Sequence, residues 1–460
     1  MAEQRQQHGG TEAGATTRHQ GATQPTRAMA PRRILIIGAN GLIGRTLGEE
    51  LVRQGHEVFL AMRNPDSDRP NEHARLLRFD FSTPDDHALQ SLLRTLDVLI
   101  NAAGIFSERD GQSFDDVHVK GPCTLFEQAA RAGVPRLIHI SALGAGPGAP
   151  TRFWRSKALG DHCALRFPGD VTVVRPSLVF APKGASTGLF LQLALLPVLP
   201  FPAPGGARVQ PIHQQDLVDG LIALVDHPCP PPLIAAVGPV PLTLPAYLAT
   251  LADALGHRLR WFPVAPRWMD LATALTRWMP GIALDADTMT MLAHGNTAAS
   301  GAWQTLLGRP LRAPIDFVPR HQAPELRTRA LLRATLPLAR AANAVTWLVT
   351  GWVSAFVYPT AASLALLAQA QVPATVAPLA LYGAAALDVV LGLTMWKRAW
   401  RRATYRLQLA LIAFYTVVIT VWLPGYWAHP YGPIVKNLPL AALIYLLLRL
   451  EEPPRGHRRR

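Results

Sequence analysis

Three glycines near the start of the chain have the spacing needed to bind a pyrophosphate. The segment Arg33 to Gly44 reads RILIIGANGLIG, so Gly38, Gly41 and Gly44 follow an apolar run. The pattern predicts a strand, a tight turn at Gly38, and a helix whose first N–H groups point at the phosphates. Gly41 lets the backbone approach the pyrophosphate, and Gly44 lets helix and strand pack closely. A bare structural turn is the alternative.

The residue after the second predicted strand indicates which dinucleotide is preferred. We expect this strand over 57–62, and Arg63 follows it in place of the acidic residue that would hold a ribose 2′-hydroxyl. A guanidinium at this position suits a 2′-phosphate. The sequence therefore favours NADP(H), with NAD(H) as the second choice. An exposed arginine in a β–α loop is the alternative interpretation.

One acidic side chain stands in the most apolar part of the chain. No Asp, Glu, Lys, Arg or His occurs from Ala341 to Leu387, and Asp388 follows directly. An ionisable group at membrane depth is a candidate functional site, here for a proton or a quinone. A protonated carboxyl that serves helix packing is the alternative. Lys436 is a second polar candidate, but it enters from the opposite end, so we do not expect it to pair with Asp388. Interfacial anchoring is the alternative for Lys436.

Apolar stretches long enough to cross a bilayer account for the C-terminal region. They predict four helices, at about 341–368, 374–396, 405–423 and 434–450, followed by a basic tail over 451–460. Basic residues concentrate before the first helix, between the second and third, and after the fourth. The positive-inside rule then places both termini and the large N-terminal domain in the cytoplasm, on the cell inner membrane. A buried soluble helical bundle is the alternative.

Composition narrows the classes of protein that remain. The 460 residues carry a net charge of +14, but only 17% of them are charged and 49% are hydrophobic. Because much of the positive excess lies beside the apolar stretches, nucleic-acid binding is disfavoured. The cysteines Cys123, Cys163 and Cys229 show no paired spacing, so we expect buried thiols in a reducing compartment, and no metal-ligand spacing occurs. Residues 1–30 lack an apolar run and are expected to be disordered.

Further motifs carry a resemblance to known families. In chain order they are GANGLIG, the pair Asp80–Phe81, NAAG at 101–104, LIHIS ending at Ser141, RPSLVFAP at 175–182 and QPIHQQDLVDGL at 210–221. They resemble the extended and atypical short-chain dehydrogenases/reductases, especially the branch with the NADPH-binding accessory subunit of respiratory complex I and NmrA-like proteins. The C-terminal region, with HPYGPIVKNLPL, resembles the DoxX-like membrane family.

This resemblance implies a two-part architecture. Residues 31–330 would form an α/β domain, with a Rossmann-type doubly wound parallel sheet and a small substrate subdomain. Residues 341–450 would form an all-α transmembrane bundle of four helices. Arg63, with Arg45, would hold the 2′-phosphate, and Pro176 would contact the nicotinamide. The implied cofactor-binding residues are Gly38, Asn40, Gly41, Leu42, Ile43, Gly44, Arg63, Asp80, Phe81, Ala102, Ala103, Gly104, Lys157 and Pro176.

The resemblance also shows a departure at the catalytic position. The family uses a Ser with a Tyr-x-x-x-Lys pair, in which the Lys lowers the pKa of the Tyr for proton transfer. Ser141 and Lys157 fit this pattern, but Phe153 occupies the Tyr position. Lys157 could act alone or through water, a quinone could take protons elsewhere, or the domain could bind NADPH without turnover. His139, Asp161 and His162 are candidate replacement acids, although a strand His and a helix-surface Asp/His pair are more often structural.

Two apolar segments bear on the substrate. Residues 188–202 are broken by prolines and are expected to form a pocket lid, and residues 261–281 carry Trp261, Trp268 and Trp278 in a segment suited to the bilayer interface. Core packing is the alternative for the second segment. We therefore expect a membrane-tethered NADP(H)-binding oxidoreductase whose partners are an apolar substrate or quinone, the bilayer and a membrane protein. A non-catalytic NADPH-binding redox sensor or assembly module is the alternative.

Overall fold

The structure is a computed structural model that describes residues 30–65, 74–81, 87–108, 111–202, 207–264 and 286–451. Almost all of the predicted disordered tail (1–30) and basic tail (451–460) lies outside the described residues. The same is true of Trp268 and Trp278, whereas Trp261 is described and half-exposed. The expectations for those segments stay predictions.

The described chain contains thirteen strands, most of them in one parallel sheet. They are β1 Arg33–Ile37, β2 Glu57–Met62, β3 Arg75–Arg78, β4 Val98–Asn101, β5 Arg136–Ile140, β6 Asp170–Pro176, β7 Val179–Phe180, β8 Val198–Pro202, β9 Arg208–Val209, β10 Ile212–His213, β11 Leu233–Ala236, β12 Leu242–Thr243 and β13 Arg260–Val264.

The large sheet has seven strands in the order β11-β6-β5-β4-β1-β2-β3. All six pairings are parallel, and β1 and β4 are buried almost throughout. Such strands read as continuous runs of Val, Ile and Leu because helices cover both faces of the sheet. The direction of winding reverses between β1 and β4, which is the topological switch point where such sheets bind ligands. The predicted Rossmann-type doubly wound sheet is confirmed.

Fourteen α-helices are described. They are α1 Leu42–Arg53, α2 His87–Leu93, α3 Gly121–Ala132, α4 Arg152–Ala164, α5 Ala185–Ala194, α6 Gln214–Val225, α7 Leu244–Ala254, α8 Ala286–His294, α9 Gly301–Leu307, α10 Ala323–Trp352, α11 Thr360–Gln369, α12 Ala377–Thr394, α13 Arg401–Trp422 and α14 Asn437–Glu451. Two π-helical turns, Asp115–Lys120 and Val353–Val357, precede α3 and follow α10, and short 3-10 turns cover Pro314–Asp316 and Pro424–Trp427.

A smaller apolar core lies beside the sheet and includes the predicted lid. Phe190 and Leu191 of α5 pack with Tyr247 of α7, and Leu326 and Ala330 at the start of α10 join the same cluster. Because α10 is one continuous helix of 30 residues, its first half belongs to this core and its second half to the C-terminal helices. At 1.5 Å per residue it extends for about 45 Å.

The C-terminal helices differ from the four membrane spans that the sequence predicts. The first predicted span, 341–368, is broken after the π-helical turn, and its two parts are bent by 106°. The break falls at Tyr358, which is extended (ψ 134°), and at Pro359. Proline has no N–H to donate, and it disfavours the helical region for the residue before it. By length and composition, α12 and α13 could each cross a membrane in the described chain, and the bent pair would be a third span.

The expectation of three buried thiols is wrong, because two of the cysteines are bonded to each other and the third is exposed. Cys123 of α3 and Cys163 of α4 form a disulfide, with their Cα atoms 5.3 Å apart, whereas Cys229 is an exposed thiol. The two cysteines are 40 residues apart in sequence, so only the packing of α3 against α4 brings them together. Spacing along the chain carries no sign of such a pair.

Candidate functional site

The glycine motif forms a backbone cradle at the switch point of the sheet. Gly38 has φ +77°, which L side chains rarely adopt, and a Cβ on it would lie 2.7 Å from the backbone of Ala103. A Cβ on Gly44 would lie 2.5 Å from the Gly38 carbonyl oxygen, so helix α1 packs directly on the turn. Gly41 is the N-cap of α1, and the first N–H groups of that helix face the cradle. This space suits a pyrophosphate.

Further predicted cofactor-binding residues lie around the cradle. Asn40, Leu42 and Arg63 are exposed there, and Arg63 directly follows β2. Phe81 packs edge-on against Phe79 at 5.2 Å between ring centroids, and Asp80 between them is half-buried. Ile43 packs beneath the turn against the core. The structure therefore brings these predicted residues to one edge of the sheet.

Helix α4 directs one face into the site. Thr151 caps its N-terminus by accepting a hydrogen bond from the N–H of Trp154. Positions 153, 156, 157, 160 and 161 recur at helical spacing and are buried. Lys157 therefore points towards the carboxyl ends of β4 and β5, where its Nζ donates to the carbonyl oxygens of Ala103 (3.4 Å) and Ile140 (3.2 Å).

The charge of Lys157 is poorly compensated. Its side chain is buried, and in the described residues no carboxylate lies within ion-pair distance of Nζ. Burial lowers the pKa of Lys157 to about 8, although the more distant Asp161 opposes the shift. A Cβ on the exposed Gly104 would lie 3.0 Å from Nζ, so the missing side chain leaves access to the amine. Lys157 can thus hold or release a proton close to neutral pH.

His118 is a site residue that the sequence analysis missed. It lies on the π-helical turn before α3, where Nε2 accepts the N–H of Ile105 (3.1 Å) and Nδ1 bonds the Ser156 hydroxyl (2.9 Å). Burial and the nearby Lys157 charge lower the pKa of His118 to about 2, so the ring stays neutral. It fixes the loop after Gly104. No motif marks it, because the π-helical turn that aims it inward has no sequence signature.

Phe153 lies on the same face of α4 as Lys157, at the position where the sequence resemblance predicts a tyrosine. Its ring stacks on Phe106 at 5.2 Å and meets His118 edge-on at 5.6 Å. Phe114 completes this aromatic cluster, and Phe106 is 79% exposed. The cluster offers an apolar surface next to Lys157, and Phe153 itself offers no titratable group.

A buried polar chain lies behind the amine. Asn101 accepts the N–H of Ala103 (3.1 Å) and contacts His139 Nδ1 (3.2 Å). His139 Nε2 lies 3.6 Å from one carboxylate oxygen of Asp161. The other oxygen of Asp161 accepts hydrogen bonds from the guanidinium of Arg175 at 2.8–2.9 Å. Burial raises the pKa of Asp161, and the hydrogen bond and positive charge of Arg175 oppose this shift.

The expectation that Asp161 and His162 form a pair on the helix surface is wrong for Asp161. Asp161 is buried and faces His139, whereas His162 points to solvent. Burial also lowers the pKa of His139 well below its usual value. Ser141 is buried at the end of β5 beside Asp161, and Pro176 is buried at the end of β6, where its carbonyl accepts the N–H of Leu143 (2.8 Å). Both residues thus lie at the carboxyl edge of the sheet.

The two membrane candidates lie apart from this site and from each other. Asp388 is buried in α12, and Oδ1 accepts no hydrogen bond from the described residues. Lys436 is exposed just before α14, and no ion pair joins it to Asp388 within the described chain.

Comparison with known proteins assigns both halves of the chain. Residues 38–164 match an NAD(P)H-binding family, and residues 344–445 match the DoxX-like family. The chain thus combines an NAD(P)-binding Rossmann domain with a DoxX-like C-terminal region, and the predicted fusion is confirmed.

Two curated relatives and one solved structure resemble the N-terminal part. A Dictyostelium discoideum protein named NADH dehydrogenase [ubiquinone] 1 alpha subcomplex subunit 9, mitochondrial, is 27% identical over 46% of this chain and 59% of its own length. A Caulobacter vibrioides ceramide reductase is 30% identical over 42% of this chain and 61% of its own length. A nucleoside-diphosphate-sugar epimerase from Staphylococcus aureus shares the fold, with TM-score 0.50, 17% identity, and coverage of 62% of this chain and 99% of that one.

The chain thus spans about three fifths of the length of these curated relatives. The family matches and the cradle geometry define an NAD(P)H-binding domain joined to a DoxX-like domain.

Proposed function

We propose that the protein is a membrane-tethered, NADP(H)-dependent oxidoreductase that acts on an apolar or membrane-soluble substrate, with a quinone as the leading candidate. The observation that carries the proposal is the buried Lys157, whose amine reaches the open face at Gly104 and has a pKa of about 8. A buried amine without a carboxylate partner is costly for stability, and such groups concentrate at sites of proton transfer.

The dinucleotide would lie across the carboxyl ends of β1 and β4. Gly38, Gly41 and Gly44 would hold the pyrophosphate, and Arg63 at the exposed end of β2 would favour a 2′-phosphate. When bound, the nicotinamide supplies hydride transfer. Lys157 would hold a proton at Nζ for the substrate oxygen, and the Phe153 ring would exclude water beside it.

An apolar substrate is supported by the surface around the amine and by the relatives. The rings of Phe106, Phe114 and Phe153 line that side, and the core of α5 and α7 adjoins α10, which continues into the membrane domain. One relative is named a ceramide reductase, and the name of another is NADH dehydrogenase [ubiquinone] 1 alpha subcomplex subunit 9. Together these favour a substrate that partitions into lipid.

The topology that we propose is cytoplasmic for the soluble domain and both termini, with a multi-pass anchor in the cell inner membrane. Arg340 of α10 and Arg401 of α13 both pair with Glu451 at the end of α14, at 2.6 and 3.2 Å. This cluster supports a common side for the three basic segments. Because disulfides are uncommon in the cytoplasm, the state of Cys123 and Cys163 in native protein checks the orientation. Persistent oxidation in growing cells would contradict it.

The decisive experiment uses the full-length protein in detergent. NADPH and NADH are titrated by fluorescence, and oxidation of bound NADPH is then followed after addition of a short-chain quinone. We expect tighter binding of NADPH, a preference that Arg63→Ala reduces about tenfold, and loss of binding in Gly38→Ala. Equal affinities for the two dinucleotides in the wild type would refute the role of Arg63.

Turnover tests the role of the amine separately. Loss of a general acid typically costs 10²–10⁴-fold in rate, so we expect a drop of that size in Lys157→Met. Since the ammonium is the donor, turnover should also fall as pH rises through about 8. If the protein bound NADPH tightly but neither quinones nor other acceptors oxidised the bound NADPH, the proposal that it is an oxidoreductase would be refuted.

The second candidate is a non-catalytic NADPH-binding sensor or assembly module, favoured by the close packing of Phe153. Phe153→Tyr separates the two. A large gain in turnover would mean that the site has lost its proton donor, and no change would mean that the site uses Lys157 or an external proton.

A further inference from the structure

The Asp388 carboxyl is enclosed by membrane helices without a compensating charge. Its side chain is 7% exposed, and in the described chain Oδ1 has no hydrogen-bond partner. It is also the only Asp or Glu between Glu325 and Glu451. Ionising such a carboxyl in an apolar medium is strongly unfavourable unless a cation neutralises it.

Glycines hold this carboxyl at the crossing of α10 and α12. A Cβ on Gly351 would lie 3.1 Å from the Asp388 Cβ and 2.6 Å from the Ala385 carbonyl oxygen. One turn further along α12, a Cβ on Gly392 would lie 2.6 Å from the Leu348 side chain. Small residues at these points allow the two helices to approach closely, as in other membrane helix pairs. Asp388 therefore lies between the two close helix contacts at Gly351 and Gly392.

The helix that faces Asp388 is irregular at the same level. Two residues after Gly351, α10 becomes π-helical over Val353–Val357, and the chain bends by 106° before α11. π-helical turns are frequent at functional sites. Broken helices at membrane depth surround the ion and proton sites of many transporters, because their backbone groups are not committed to a regular helix.

The neighbouring elements supply no cation. Residues 341–396 contain no Lys, Arg or His, which covers the membrane half of α10, the π-helical turn, α11 and α12. Tyr415 of α13 lies within electrostatic range of Asp388, and Tyr358 and Tyr382 are exposed. Lys436 near α14 is exposed and makes no ion pair with Asp388 in the described residues.

We propose that Asp388 is a proton-binding site of the membrane domain. The carboxyl carries a proton when it is enclosed, and its O–H bond breaks to release that proton to water while the protein remains folded. The ligand is a proton rather than a metal ion, because Asp388 provides the only carboxylate between Glu325 and Glu451, and no group of three or more His, Cys, Asp or Glu side chains that could hold a metal occurs in the described residues. This site is independent of the NADP(H) chemistry.

The test uses the full-length protein in liposomes and dicyclohexylcarbodiimide, an apolar reagent that modifies protonated carboxyls in lipid. Mass spectrometry should find the carbodiimide adduct on Asp388 at low pH, and the yield of this adduct should fall at least tenfold as the pH is raised from 5 to 9. Asp388→Asn should remove the adduct. Glu451→Gln, which alters the ion-paired carboxyl at the membrane boundary, is the matched control and should leave it unchanged.

Three results would overturn the proposal. These are no adduct at any pH in protein that binds NADPH, an adduct that does not vary with pH, and protection by sodium but not by choline chloride, which would indicate a metal cation. If Asp388→Asn failed to fold, the pH profile of the wild-type adduct would still decide.

Discussion

The N-terminal half and the DoxX-like membrane half of the chain differ in where their paired charges lie. In the N-terminal half, Asp216 is fully buried and accepts hydrogen bonds from Arg309 (2.8 Å) and from the guanidinium and backbone N–H of Arg312. In the membrane half, Arg340, Arg401 and Glu451 gather at one end, and Asp388 remains alone. Paired groups such as the Asp216 cluster stabilise the fold.

Each half also contains one charge that its surroundings do not neutralise. Lys157 donates only to carbonyl oxygens, and Asp388 has no partner in the described residues. An isolated buried charge lowers the stability of the folded protein. A buried ion pair has much less effect on stability, but removing one of its partners is strongly destabilising because the other charge is left uncompensated. Paired buried charges therefore mark groups that stabilise the fold, whereas the two isolated charges are the groups for which we propose proton chemistry.

The largest effect should follow from breaking the Asp216 cluster. Asp216→Ala removes the three hydrogen bonds that this buried carboxylate accepts, and it leaves Arg312 without a carboxylate partner and Arg309 with Asp219 alone. Because hydrogen bonds to charged groups contribute about 1.5–3 kcal/mol each, we expect a loss of about 3–5 kcal/mol in the free energy of unfolding. Urea unfolding of the full-length protein in mild detergent, followed by tryptophan fluorescence, measures it. Glu127→Ala removes an exposed pair with Arg131 and should change stability by less than about 0.5 kcal/mol. Similar losses in both variants would refute the distinction.

Near neutral pH, removing the isolated amine of Lys157 should not lower the free energy of unfolding. The pKa of Lys157 is lower in the folded state than in the unfolded chain, so the unfolded chain binds more protons between these values. Wild-type stability should therefore rise between about pH 8 and the ordinary lysine pKa, by on the order of 3 kcal/mol relative to Lys157→Met. Below pH 8 the variant should be at least as stable as the wild type.

Unfolding curves of the two proteins at pH 7, 8, 9 and 10 give this difference directly, because other titrating groups affect both alike. A Lys157→Met variant that is several kcal/mol less stable at pH 7 would place Lys157 among the structural groups.

The smallest effect concerns an uncharged network in the membrane half. Asn343 donates to Gln408 (3.0 Å) and accepts the indole N–H of Trp347 (3.2 Å), and both amides are buried. Polar bonds between membrane helices average about 0.6 kcal/mol and reach about 1.7. We expect Asn343→Leu to cost about 1 kcal/mol in detergent unfolding followed by circular dichroism. The exposed Thr346→Val should cost almost nothing, and equal effects would argue against the network.

Much of the nucleotide site could be predicted from the sequence because its determinants are local. Gly38, Gly41 and Gly44 act through backbone conformation within one turn, and Arg63 follows a strand that an apolar run predicts. Phe153 and Lys157 stand four residues apart, so one helix face presents both.

Other features could not be predicted because they depend on contacts distant in sequence. His118 meets Ser156 across 38 residues, and a π-helical turn directs it there. Asp161 was expected on the surface, but the packing of α4 on the sheet buries it against His139 and Arg175.

The sequence by itself determined the two-part architecture, the glycine cradle and the apolar C-terminal region. These follow from periodicity, composition and residue identity, which are properties of short segments. Tertiary structure alone decided the Cys123–Cys163 bond, the bend after α10 and the isolation of Lys157 and Asp388. Each of these depends on which groups meet across helices, because a charge is paired or isolated only by what the fold places beside it.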